Sequence, residues 1–171
     1  MRVSIVGVSG AGKTTCGRRL ADRIDAPLIE LDAIYHQAGW TVLSDDEFRL
    51  EVAAATVEAS WVCDGNYGAV RPIIWERATD VIWIDPPKVV VMAQVISRSV
   101  GRAVTRRELW NGNRELVRNL VDADHPIRWA WATFDRKREE YPVRFARAEN
   151  VHLRVHRLKN RRQARRFLAE A

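Results

Sequence analysis

An α/β fold with a doubly wound parallel sheet is what this 171-residue sequence predicts. Three observations carry that expectation. Short β-branched runs alternate with stretches of helical apolar spacing, the pattern of strand–helix–strand units. Three of those runs close on an aspartate: Asp32, Asp64 and Asp85. The stretch GVSGAGKTT, residues 7–15, follows the first run without a gap.

Each element has its own reason. Residues 2–6, RVSIV, are short, β-branched and bounded by Gly7, which reads as strand 1. From Lys13 to about residue 24, Leu20 and Ile24 fall at helical spacing, and Pro27 stops the run. Residues 28–31 are a second apolar run closing on Asp32. Ser44 and Glu47 form a capping box for a helix through Phe48, Val52 and Ala55 to about residue 59. Residues 61–63 close on Asp64 as strand 3, and residues 81–84 close on Asp85 as strand 4. Pro86 and Pro87 open a helix through Val89, Met92 and Ile96. Residues 151–155 alternate apolar positions with His152 and Arg154 and read as strand 5. Asn160 and Gln163 cap a final helix with Ala164, Phe167, Leu168 and Ala171 on one face. In sheets of this kind, ligands sit beyond the carboxyl ends of the strands. The three aspartates therefore gather near the mouth that residues 7–14 form.

Residues 7–14 match G-x-x-x-x-G-K-[ST] in full, after an expected strand and before an expected helix. Glycines let consecutive N–H groups turn inward, and the helix N-terminus adds its positive dipole end. The cradle comprises Gly7, Ser9, Gly10, Ala11, Gly12, Lys13, Thr14 and Thr15. Lys13 is the compact charge for the β- and γ-phosphates, hence a catalytic candidate, and the Thr14 hydroxyl is a ligand for Mg²⁺.

Composition narrows the class. The length fits one domain, residues 1–171, with room for a core. The longest apolar run, residues 89–93, is too short to span a bilayer, and no secretory signal is visible. Cys16 and Cys63 are too few for a disulfide framework, which fits a reduced cytoplasm. Charge is uneven. Residues 1–97 carry 9 Lys/Arg against 13 Asp/Glu, a net −4, and residues 98–171 carry 19 against 9, a net +10. The second half calls for an anionic partner, a phosphate chain or a nucleic acid, or else a solvated basic surface.

The phosphate loop, LIELDAIYHQAGW, WVCDGNYG, VIWIDPP and TRRELWNGNRE together resemble the DNA topology modulation proteins, small P-loop kinases related to adenylate kinase. The resemblance covers roughly residues 1–150. It implies ATP as donor, a five-stranded parallel sheet in the order 2-3-1-4-5 and a mobile Arg-rich lid at about residues 98–140. In that order Asp64 is the carboxylate that holds Mg²⁺ through water; a turn-forming Asp before Gly65 is the plainer alternative. Asp85 reads as structural, a helix-initiating residue. The lid reading rests on Arg98, Arg102, Arg106, Arg107 and Arg114. Arg98 and Arg102 share a helix face, where two guanidiniums grip the transferred phosphate; Arg106 adds a third. The polar turn Trp110-Asn111-Gly112-Asn113 suits a closing loop. Arg136 and Arg138 belong to a later helix with Trp131 and Phe134.

The acceptor is less legible. Adenylate kinases carry an Arg three residues past the strand-2 Asp and another closing a D-G-F-P-R motif; Tyr35 and Gly68 stand there instead. Arg71 and Arg77 are near in sequence. An acceptor that already bears a phosphate needs only an anion clamp, whereas a hydroxyl gains from a carboxylate that takes its proton. Asp32 is the candidate for that, with Tyr35 and His36 beside it; Trp40 is an anchor or a stacking platform.

An adenylate-kinase-like phosphotransferase is the leading expectation. A kinase of a hydroxyl-bearing small molecule is the alternative, along with a nucleotide-gated DNA-binding regulator and a slow ATPase without acceptor. The DNA reading draws on the basic tail Arg161, Arg162, Arg165 and Arg166, opposite Phe167 and Leu168; no recognised nucleic-acid motif accompanies it.

Overall fold

The computed structural model describes residues 1–105, 110–113 and 126–171. Five strands form one sheet: β1 Arg2–Val6, β2 Leu28–Glu30, β3 Trp61–Asp64, β4 Asp80–Ile84 and β5 Arg154–Leu158. Their order is β2-β3-β1-β4-β5, and every pairing is parallel. The helices are α1 Lys13–Ile24, α2 Leu31–Tyr35, α3 Asp45–Ala55, α4 Arg71–Arg77, α5 Lys88–Thr105, α6 Pro126–Phe145 and α7 Arg161–Glu170. The expected α/β fold and strand order are both present.

The sequence explains the layers. β1, β3 and β4 are almost wholly buried, as strands covered on both faces must be. Alternate residues serve alternate faces. Val3, Ile5, Val62, Ile82 and Ile84 join Leu20 of α1, Val91 of α5 and Phe134 of α6 in one apolar cluster. Val6, Trp61, Cys63, Val81 and Trp83 join Phe48 of α3, Trp75 of α4 and Tyr141 of α6 in the other. Gly17 lets α1 lie close on the sheet: a Cβ there would meet Leu28 Cδ1 at 3.2 Å.

The Ser44 capping box forms with both arms, Glu47 N–H to Ser44 Oγ and Ser44 N–H to Glu47 Oε2. Asn160 Oδ1 caps α7 at the Gln163 N–H, 2.9 Å. Three expectations shift. α3 ends at Ala55, about four residues short of its expected end near residue 59. Leu31 begins α2 instead of ending β2. Strand 5 starts at Arg154, three residues later than expected. A 3-10 turn at Ala148–Asn150 and the Leu153 N–H bond to Asn150 occupy the earlier residues. Pairing with β4, from Asp80↔Arg154 to Ile84↔Leu158, then sets the register. The alternation of residues 151–156 begins before the paired stretch and breaks at Arg157 inside it, so pattern alone does not place the strand.

Among the described residues, no helix is long and apolar enough to cross a membrane. α7 packs Ala164, Phe167 and Leu168 toward the α1 side of the core and leaves Arg161, Arg162, Arg165 and Arg166 outside. Arg166 pairs with Glu170 at 2.7 Å.

Candidate active site

β1 ends between the carboxyl ends of β3 and β4, so the loop after Val6 leaves the sheet at its centre. This is where the chain changes direction across the sheet, the place for a ligand in an open α/β fold. Two loop glycines are required by geometry. Gly10 has φ +81°, and a Cβ there would lie 2.2 Å from Val95 Cγ2 of α5. Gly7 has φ +149°, and its Cβ would meet the Ile84 carbonyl oxygen at 2.5 Å. Gly10→Ala is expected to lower stability by about 1–3 kcal/mol, the typical cost of overpacking, with left-handed strain added. Thermal unfolding of the purified variant measures it.

The N-terminus of α1 has no side-chain cap; Gly12 occupies that position in the left-handed region. The cradle therefore presents backbone donors and a positive dipole end together. Lys13 folds back over the loop, its Nζ donating to the Val8 carbonyl at 3.3 Å. Thr14 Oγ1 donates to Asp64 Oδ2 at 2.5 Å. Asp64 is only 7% exposed, and its Oδ1 is buried with no hydrogen-bond partner among the described residues. Burial pushes the Asp64 carboxyl above the usual carboxylate range, while Lys13 and the Thr14 hydroxyl pull against that rise.

Arg98, on α5, donates from Nη2 to Ser9 Oγ at 3.0 Å and so lies against the loop. The expectations for Arg106, Arg107, Arg114 and the side chain of Arg102 lie outside the described residues. Asp85 is structural, but not as a helix start. α5 begins at Lys88. Asp85, 5% exposed, instead accepts from Arg157 Nε at 2.8 Å and pairs with Arg138 Nε at 3.4 Å, tying β4 to β5 and α6. Arg138 is thereby engaged with Asp85, in the same cavity lining as Val8 of the loop.

Asp32 stands in the first turn of α2, beyond β2. The Tyr67 hydroxyl donates to its Oδ1 at 2.6 Å, and His36 Nε2 lies 3.4 Å from that hydroxyl. Tyr35, His36, Phe48 and Tyr67 form an aromatic wall, and Trp40 meets His36 edge-on at 5.5 Å. The Trp110–Gly112 turn docks on this same segment. Asn111 Nδ2 donates to the Ala33 and His36 carbonyls, and Asn113 joins the Gln37 carbonyl and the Trp40 N–H, each at 2.9 Å. Of the two arginines near in sequence, Arg77 is engaged at the end of α3, with the Ala53 carbonyl and Thr56 Oγ1. Arg71 stays by the site, half-buried, its Nη2 3.4 Å from the Asn66 carbonyl.

Sequence reasoning missed Asn66, Tyr67, Lys137 and Tyr141. Asn66 clasps the loop: its Oδ1 accepts from the Gly7 N–H at 3.3 Å and from the Tyr141 hydroxyl at 2.8 Å, and its Nδ2 donates to the Gly7 carbonyl. Lys137 sits one turn before Tyr141 on α6, on the face that reaches the loop. Burial pushes its ammonium down to about 8, helped by Lys13, Arg71 and Arg136. The DGNY string and the four-residue spacing of Lys137 and Tyr141 were the available signals.

Fold and loop define a P-loop nucleotide-binding protein. No protein-family model matches the chain. Curated relatives do: it is 30% identical over 148 residues to the shikimate kinase of Corynebacterium efficiens, covering 77% of this chain and 83% of that one. It is 29% identical over 144 residues to the shikimate kinase of Symbiobacterium thermophilum, 74% and 80%. The crystal structure of shikimate kinase from Bacteroides thetaiotaomicron superposes with a TM-score of 0.58 over 99% of this chain and 95% of that chain, at 14% identity. Shikimate kinase from Acinetobacter baumannii in complex with shikimate gives 0.54 over 98% and 88%, at 15% identity. The chain belongs to the shikimate kinase family. It is an ATP-dependent kinase. These relatives bear out the expected small P-loop kinase and give no support to the DNA topology modulation resemblance.

Proposed function

We propose that the protein moves the γ-phosphate of ATP to a hydroxyl of a small, negatively charged acceptor. The carrying observation is the acceptor side itself: Asp32 faces it with Oδ2 accepting from no described residue, and among the described residues Arg77, one of the two arginines near in sequence, is turned away to the Ala53 carbonyl. The relatives, kinases named for a hydroxy acid, support the same reading over the adenylate-kinase one.

The geometry supports the following roles. The loop amides and Lys13 hold the β- and γ-phosphates, and Arg98 adds charge from α5. Thr14 and Asp64 are oxygen donors suited to a hard cation such as Mg²⁺, and the buried, unpartnered Asp64 Oδ1 fits that use. Asp32 Oδ2 takes the acceptor's hydroxyl proton as the hydroxyl oxygen bonds to the γ-phosphorus. The bond from that phosphorus to the β,γ-bridging oxygen breaks, and ADP leaves. Arg71, on the Asn66 carbonyl of the turn that carries Tyr67, and Lys137, near enough to Arg71 to feel its charge, are the cations for the acceptor's anionic group.

ATP with a panel of shikimate, quinate, 3-hydroxycyclohexanecarboxylate and AMP tests this. Transfer to a hydroxy acid in excess of AMP is expected. Faster phosphorylation of AMP returns the adenylate-kinase reading, and no transfer to any acid overturns the proposal.

A further inference from the structure

The phosphate loop is held at its first residue by a side chain. The β1–β3 ladder ends at the Ile5↔Asp64 pair, with the Gly65 N–H on the Ile5 carbonyl at 3.4 Å. Residues two apart on a strand turn their N–H and C=O to the same neighbour, so Gly7 faces the β3 side as Ile5 does. β3 itself stops at Asp64. The Asn66 carboxamide takes the place of its backbone. Oδ1 accepts from the Gly7 N–H at 3.3 Å, and Nδ2 donates to the Gly7 carbonyl. A primary amide carries the donor and acceptor of a peptide group, so this one side chain supplies the missing rung.

The clasp has a holder of its own. The Tyr141 hydroxyl of α6 donates to Asn66 Oδ1 at 2.8 Å. The bridge to Gly7 fixes which end of the amide is oxygen, because the reversed amide sets N–H against N–H and oxygen against oxygen. Tyr141 is buried, with its ring between Trp83 and Phe145 at centroid distances of 5.5 and 5.7 Å. Burial, against the pull of Arg71 and the Gly7 N–H, pushes its phenol up to about 12, so the donated proton stays in place. Two elements distant in sequence, the turn after β3 and α6, thus meet on the residue from which the loop leaves the sheet.

We propose that Asn66 is a positioning residue for the nucleotide's phosphate chain, acting through Gly7, and that Tyr141 sets Asn66 from α6. Both act on the donor side, whatever the acceptor. Tyr141 bears on nucleotide affinity through Asn66 and the Gly7 backbone, without contact of its own.

The test uses ADP with Mg²⁺ as the probe and compares wild type, Asn66→Ala, Tyr141→Phe and the double variant of the whole chain. Calorimetry gives Kd, phosphorus NMR gives the β-phosphorus shift of bound ADP, and thermal melting without nucleotide checks each fold. Asn66→Ala is expected to raise Kd about tenfold, the scale of one or two lost hydrogen bonds, and to move the bound β-phosphorus shift away from its wild-type value. A side chain that only stabilised the fold would lower the melting temperature and leave that shift in place. Tyr141→Phe keeps the ring packing and raises Kd by about threefold. In the Asn66→Ala background the same change costs less than in wild type, because the two residues share one path to Gly7. Wild-type Kd and β-phosphorus shift in a folded Asn66→Ala overturn the inference, and fully additive losses overturn the part given to Tyr141. Should Asn66→Ala fail to fold, Tyr141→Phe decides alone, and wild-type Kd there overturns it. Absence of ADP uptake by wild type overturns it together with the nucleotide site itself.

Discussion

Lys13→Met is expected to lower kcat by about 10²–10³-fold, the usual loss when one preorganised donor to a developing charge is removed. The side chain lies over the loop with its Nζ on the Val8 carbonyl, a neutral partner that a phosphate oxygen readily replaces. The loop amides remain in the variant, so ATP binding weakens less than turnover. Lys13→Arg is not expected to rescue, because a planar fork needs a different approach from a compact ammonium. A second readout does not depend on catalysis. Lys13 is among the neighbours that hold Lys137 down at about 8, so its removal lets the Lys137 ammonium titrate higher. NMR titration of the Lys137 side chain, together with steady-state kinetics, measures both effects. Unchanged turnover would remove Lys13 from the chemistry.

How much of this was legible depended on how local each signal is. The loop and the helix it feeds lie within residues 7–24, and their pattern is contained in the sequence itself; α1 runs over Lys13–Ile24 as expected. β5 was misplaced because its alternation begins at Val151, ahead of the residues that pair, and only β4 decides which five do. α4 went unseen because seven residues hold too few turns for a periodicity, though Pro72 in its first turn was a helix-start signal. The site divides the same way. Asp64 was found from its place at a strand end. Its contact with Thr14, fifty positions away, needed β3 to lie beside β1. Tyr67 and Asp32 are 35 positions apart, and a tyrosine after Asp-Gly-Asn carries no mark of what its hydroxyl will meet. Lys137 and Tyr141 were hidden for a related reason: a helix face rich in Arg and Lys reads as solvated until the fold turns it toward the loop.

Asp64→Asn is expected to do two opposite things, and the pair separates function from packing. Turnover with ATP falls by about 10²-fold or more, since Mg²⁺ is held by hard oxygen donors and an amide is a weaker one. The ligand-free protein, in contrast, becomes more stable at neutral pH. The reason is the sign of the carboxyl's displacement. Burial raises the Asp64 pKa in the folded chain above its unfolded value. The folded state therefore holds its proton more tightly, and its stability falls as pH rises from the ordinary carboxylate range through the raised value. At pH 7 the native chain carries a buried charge that Lys13 and Thr14 only partly offset. Asn keeps an oxygen for the Thr14 hydroxyl and carries no charge. A gain of about 1 kcal/mol corresponds to a melting temperature roughly 2–4 °C higher for a chain of this length. The advantage of the variant should shrink as pH falls through the raised Asp64 pKa and wild-type Asp64 takes up its proton in the native state. Thermal melts of both proteins from pH 4 to pH 8, without nucleotide or metal, follow the difference directly. A variant that is less stable at every pH would mean that the Thr14–Asp64 contact holds the loop together as a structural bond. Asp64 would then have its place in packing, and the cation would have to be held by Thr14 and the nucleotide alone.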